Sequence, residues 1–76
     1  MVKILYFASL RELVGVPEAS LDLGEPLDAA EVWDAVNPAI DLPEASLVAI
    51  NQSYAALDSV VVPGDEVAFF PPVTGG

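Results

Sequence analysis

Few side chains in this 76-residue chain can do covalent chemistry. It contains no histidine and no cysteine. Ser-His-Asp and Cys-His nucleophilic arrangements, imidazole acid–base catalysis, disulfides and thiolate metal sites are therefore excluded. Glycines 15, 24 and 64 are isolated turn residues, so no glycine-rich phosphate loop is present. Paired acids remain. Asp65-Glu66 stands at a turn and strand start, where neighbouring side chains point to opposite faces, which makes a poor dyad or metal site. No metal ligands are assigned. One candidate reactive group is left, the carboxylate that ends the sequence at Gly75-Gly76.

A free α-carboxylate is ionised at neutral pH and is a poor electrophile. Useful chemistry at Gly76 requires activation, for instance as an acyl-adenylate. Two residues without Cβ atoms suit a narrow catalytic channel. The plain alternative is a frayed or added terminus. Glycine makes up about 7% of residues, so a chance Gly-Gly end has a frequency below about 1%. The residues before it have a job as well. Pro71 and Pro72 cannot donate backbone hydrogen bonds, so a sheet must stop there. Val73 and Thr74 favour extension. From Pro71 onward the tail can reach about 20 Å. The expected division is a folded domain over residues 1–70 and an extended, flexible tail over 71–76.

Length allows one small domain. The chain is 54% apolar and 18% charged, unusually apolar for this size. Some of that apolar area is expected to stay as a surface patch; scattered exposed apolar residues are the alternative. Net charge is −10, from twelve acids against Lys3 and Arg11. Nucleic acid is thereby an unsuitable partner. The acids either steer a basic partner or only provide solubility. Arg11 either pairs with a nearby acid or contacts a partner's carboxylate. No apolar run suits a membrane span and no signal peptide opens the chain, so the expected location is cytoplasmic.

The elements that position the tail follow from local pattern. Residues 2–8 read as a strand, with Ile4 and Tyr6 toward a core and Lys3, Leu5 and Phe7 on the other face. Ser9 is expected to cap a short helix over 10–14 that Gly15 ends. Residues 18–23 read as a second strand. Asp28 and Glu31 form a capping-box pattern at the start of the main helix, with Ala29, Val32, Trp33 and Val36 on one face. Asn37-Pro38 stops it. Ile40 and Leu42 cover the core edge in a connector. Strands follow at 47–50, 54–57 and 66–70, with turns at Asn51-Gln52 and Pro63-Gly64-Asp65. The result is an α+β roll of the β-grasp, ubiquitin-like type: a mixed sheet of about five strands on one main helix plus a short one. In the last strand Val67 and Phe69 face the helix, so Phe70 joins Phe7 on the other face, and Tyr54 extends that patch. An aromatic patch at the root of an extended tail suits a partner that takes up the tail.

The run Gly64-Asp65-Glu66-Val67-Ala68-Phe69-Phe70-Pro71-Pro72-Val73-Thr74-Gly75-Gly76 resembles the C-terminus of the MoaD family, the small sulfur-carrier subunit of molybdopterin synthase. Leu5-Tyr6-Phe7-Ala8 followed by Leu10-Arg11-Glu12-Leu13, and Val48-Ala49-Ile50-Asn51-Gln52, are similar to the family in order and position. The resemblance covers nearly the whole chain, and its specific part is the tail. It implies a sulfur carrier of molybdenum cofactor biosynthesis with no catalytic residues and no bound cofactor of its own. An E1-like adenylating enzyme would use ATP and Mg to activate Gly76. A sulfur donor, a cysteine desulfurase or rhodanese-like protein, would convert it to a thiocarboxylate. The tail would enter the large synthase subunit, within a heterotetramer, and deliver sulfur to cyclic pyranopterin monophosphate. The resemblance places Phe7, Arg11 and Phe70 at the partner interface. Tyr54 occupies an apolar interface position with a different residue type. The segment between the main helix and Leu47 is shorter than in many members. The runner-up readings are the thiamine-pathway (ThiS-like) carrier and a ubiquitin-like modifier joined to proteins through Gly76.

Overall fold

The computed structural model describes residues 1–72; Val73, Thr74, Gly75 and Gly76 lie outside the described residues. The elements in chain order are β1 (Val2–Tyr6), α1 (Ala8–Val14), β2 (Glu18–Leu21), β3 (Leu27–Asp28), α2 (Ala29–Val36), β4 (Leu47–Ile50), β5 (Ser53–Ala55), β6 (Val60–Val61) and β7 (Glu66–Phe70). Five strands form one mixed sheet in the order β2-β1-β7-β4-β5, with β1 parallel to β7 and the other pairs antiparallel. This is the β-grasp roll expected from the sequence.

Alternation decides what each strand buries. Val2, Ile4 and Tyr6 of β1 and Val67 and Phe69 of β7 turn to the helix side and are buried. There they meet Ala29, Val32 and Trp33 of α2. Trp33 is the centre of the core. Its ring stands edge-on to Tyr6, with centroids 5.7 Å apart, and to Phe69 at 5.2 Å. Its indole Nε1–H donates to the Ile40 carbonyl at 2.7 Å, so the polar atom of the buried ring has a partner. That bond also pins the connector after the helix.

The capping box at α2 is complete. The Asp28 carboxylate accepts from the Glu31 amide at 2.8 Å, and the Glu31 carboxylate accepts from the Asp28 amide at 2.9 Å. At the other end Asn37 is buried, and its Nδ2 donates to the Tyr6 hydroxyl at 3.0 Å. This bond ties the end of the helix to β1 of the five-stranded sheet. Burial raises the Tyr6 pKa above its ordinary value, and the Asn37 bond offsets part of that rise.

Three local readings are corrected. Ser9 does not cap α1: the cap position is Phe7, in extended conformation and without a side-chain cap, and the helix starts at Ala8. Ala8 takes φ 51, so the chain turns from strand to helix within one residue. Between the strand expected at 54–57 and the turn at Pro63 the sequence suggests no strand, yet Val60–Val61 pairs with Leu27–Asp28 as a separate two-stranded sheet. The strand expected at 54–57 is Ser53–Ala55, and the backbone beyond it serves the helix instead: the Leu57 carbonyl accepts from the Ala30 amide at 3.0 Å.

Candidate functional site

The face of the sheet opposite α2 carries an open groove of 580 Å³. Strand pairing builds its floor. Leu5 of β1 pairs with Ala68 of β7, Ala68 with Ala49 of β4, and Ala49 with Tyr54 of β5. Two alanines in the middle of that row make the trough, since larger neighbours rise on either side. Phe7, Phe70 and Tyr54 form one wall. The Phe7 and Phe70 rings meet edge to face with centroids 5.8 Å apart, and Tyr54 and Phe70 do the same at 5.7 Å. Phe7 is 46% exposed and Tyr54 74% exposed, large values for aromatic rings. The expected surface patch therefore exists, and its three aromatic members are in mutual contact through Phe70.

The groove is sparse in charge. Glu66 is the one ionisable carboxylate on its lining, and Gln52 adds a polar edge. The only ion pair among the described residues, Lys3 with Glu18 at 3.6 Å, joins two exposed side chains and contributes little. Arg11 sits in the last turn of α1, exposed, with no carboxylate in ion-pair range among the described residues. Of its two expected roles, pairing with a nearby acid is not realised.

The root of the tail lies beside the wall. β7 ends at Phe70, whose neighbour in β4 is Leu47. Pro71 and Pro72 follow outside the strand, Pro71 half-buried and Pro72 exposed. The Phe7 amide donates to the Phe69 carbonyl at 3.1 Å, which extends the β1–β7 ladder to the point where the chain leaves the sheet. The roles expected of Val73, Thr74, Gly75 and Gly76 fall outside the described residues. Two groove residues, Ala49 and Gln52, read from the sequence only as parts of a strand and a turn. The β-branched core residues Val48 and Ile50 would have placed Ala49 on the groove face by alternation. Among the described residues no cluster of three or more acids is arranged to hold a metal ion, and no helix is long and apolar enough to cross a membrane.

The far end of the sheet is held by a different network. Asn51 and Gln52 take φ 52 and 69, the tight turn that an Asn-led pair favours. The Asn51 Nδ2 donates to one oxygen of Asp65 at 2.9 Å, and its Oδ1 accepts from the Glu66 amide at 2.9 Å. The second Asp65 oxygen accepts from the Val62 amide at 2.9 Å. These donors hold the Asp65 carboxyl below its ordinary value of 3.8, with the Val62 amide the larger cause. Asp65 is thus a fold residue, as its turn context suggests.

The comparisons agree with this geometry. The ThiS family model matches residues 4–76. The chain is 41% identical over 81 residues to the molybdopterin synthase sulfur carrier subunit of Escherichia coli (strain K12), covering all of both chains. It is 42% identical over 86 residues to the protein of the same name from Haemophilus influenzae, again covering all of both chains. Among solved structures, SAMP1 from Haloferax volcanii superposes with a TM-score of 0.79 at 29% identity, covering 99% of this chain and 98% of that one. Matched from its first strand through its final glycine, the chain belongs to the ThiS family.

Proposed function

We propose that this protein is the sulfur carrier of a molybdopterin synthase, with Gly76 as the carrying residue. The observation that carries the reading is the full-length likeness to carrier subunits of that name, at 41% and 42% identity. The aromatic groove at the root of the tail supports it, because a carrier must be gripped by an enzyme that also receives its end. In this reading an E1-like enzyme, with ATP and Mg, joins the Gly76 carboxylate to AMP and releases pyrophosphate. The terminal sulfur of a persulfide on a donor of the cysteine desulfurase or rhodanese-like class then attacks the Gly76 carbonyl and displaces AMP. A protein thiol cleaves the resulting acyl disulfide, which leaves the thiocarboxylate on Gly76 and a disulfide on the thiol's side. The large synthase subunit holds Phe7, Tyr54 and Phe70, with Arg11 and Pro71 at the margin. It threads Pro72, Val73, Thr74, Gly75 and Gly76 toward the pterin. Catalytic side chains come from that subunit; the carrier supplies the nucleophilic sulfur. Cyclic pyranopterin monophosphate receives the sulfur, and two rounds of delivery build the dithiolene within a heterotetramer of two small and two large subunits. The setting expected for this work is the cytoplasm.

The test is complementation of a strain that lacks its own carrier. The full chain should restore molybdoenzyme activity, and a chain shortened by Gly75 and Gly76 should not. Equal rescue by both would end the proposal. A second reading, a protein modifier joined through Gly76, is favoured by one observation, the likeness to SAMP1 of Haloferax volcanii, small archaeal modifier protein 1. Conjugates linked by an isopeptide bond to Gly76 would establish it.

A further inference from the structure

On the helix side of the sheet, a second cleft of 340 Å³ lies between β2 and α2. Its walls are Leu21, Leu23, Leu27 and Ala35, and the carboxylates of Asp22 and Glu25 stand at its rim. Glu31 lies one turn before Ala35 and so shares its side of the helix. β2 is also the end strand of the sheet, and β1 is its one partner among the described residues.

The ladder shows which backbone groups of β2 are turned outward. The Tyr6 amide donates to the Pro17 carbonyl at 3.0 Å. In an antiparallel pair, bonded positions recur every second residue. Ala19 and Leu21 therefore point their amides and carbonyls at β1, while Glu18 and Ser20 point theirs away from the sheet. Side chains divide the same residues the other way: Ala19 and Leu21 pack toward the core, on the side of the cleft. An open strand edge thus runs directly beside an apolar slot.

We propose that this edge and cleft form a second docking site, for an extended segment of a basic partner chain. Such a segment adds as a strand to Glu18 and Ser20 through main-chain hydrogen bonds. Its inward side chains, apolar and preferably β-branched, enter the slot against Leu21, Leu23 and Ala35. Lysines or arginines at its ends meet Asp22, Glu25 and Glu31. Charge fixes the choice of occupant. Among the described residues Asp22, Glu25 and Glu31 make no ion pair, so their charge is open to a cationic partner. The aromatic groove, by contrast, has a single carboxylate and lies on the opposite face. The two surfaces can be occupied together, so a partner can hold the carrier while its tail is engaged elsewhere.

The test uses the full chain, labelled with nitrogen-15, titrated with an acetylated peptide of three β-branched residues flanked on each side by lysine and arginine. Two controls accompany it: the same peptide with alternate backbone amides methylated, and one with glutamate flanks. Saturable amide shifts over 18–27 and around Ala35, lost with either control, are expected. Asp22→Lys with Glu25→Lys, at two exposed positions, should weaken binding about tenfold or more. Ser20→Pro removes an outward amide without cutting the β1 ladder and should abolish binding; should it fail to fold, the charge reversal carries the test. Shifts confined to Phe7, Tyr54 and Phe70, equal binding of the methylated peptide, indifference to the charge reversal, or no saturation at millimolar peptide overturns the proposal.

Discussion

The ring of Phe70 stands edge to face against the ring of Phe7, with centroids 5.8 Å apart and planes at 77°. One residue ends the first strand's face and the other ends the last strand, so the contact exists only because β1 and β7 run parallel as neighbours. It sets the wall of the groove at the point where the chain leaves the sheet. Under the proposed carrier reading, a partner that grips this wall also receives the chain where it leaves the sheet, which couples recognition of the folded domain to uptake of the tail.

Substituting either ring tests that coupling. Phe7→Asp and Phe70→Asp should each weaken binding to the large synthase subunit by about 2 kcal/mol or more, the cost typical of a central aromatic anchor. Both side chains point away from the core, so far-UV circular dichroism should remain that of the parent. Titration calorimetry against the large subunit reads the loss. Unchanged affinity would remove these residues from the interface.

The core offers a second prediction. Tyr6→Phe leaves the buried Asn37 amide without its side-chain acceptor, and should lower stability by about 1–3 kcal/mol. Asn37→Ala removes the donor and leaves the buried Tyr6 hydroxyl without its partner, so it should act through the same bond. The pair should therefore be non-additive in a double-mutant cycle measured by urea unfolding.

Much of this architecture is legible in local sequence. The capping box at Asp28 and Glu31, the stop at Asn37-Pro38, the Asn51-Gln52 turn and the alternation of Glu66 to Phe70 are decided by neighbours within four residues, and each forms as its pattern implies. What escapes local reading depends on distant partners. Val60 and Val61 become a strand because Leu27 and Asp28 lie beside them, not through any pattern of their own. The trough of the groove depends on Ala49 lying opposite Ala68, nineteen positions on, and only the register of β4 on β7 places them there. Ser9 has good capping chemistry, but the chain turns one residue earlier, at Ala8.

The helix cap can be tested alone. Asp28→Ala breaks the reciprocal bonds with Glu31 and should cost about 1 kcal/mol, with Asp28→Asn costing less. A drop in the urea midpoint at constant slope would report it. No change would mean that water replaces the cap without loss.

Asp65 gives a pH signature. Its folded carboxyl is held below 3.8 by the Val62 amide and the Asn51 side chain. A depressed folded pKa adds stability that is present above the unfolded value and is lost as pH falls through the folded value. The stability difference between the parent and Asp65→Asn should thus be largest at neutral pH and shrink as pH drops below the ordinary carboxylate range. Urea unfolding at a series of pH values reads the difference. A gap that does not change with pH would assign the effect to shape, not charge.

The carrier assignment stands or falls on the chemistry of Gly76. The most direct measurement is the intact mass of the protein isolated from cells that make molybdenum cofactor, followed by fragmentation of its C-terminal peptide. A mass gain matching one exchange of oxygen for sulfur, located at Gly76 and absent when the activating enzyme is deleted, is the predicted result. A terminus that remains an unmodified carboxylate under those conditions, or that occurs only in isopeptide linkage to other proteins, would contradict it.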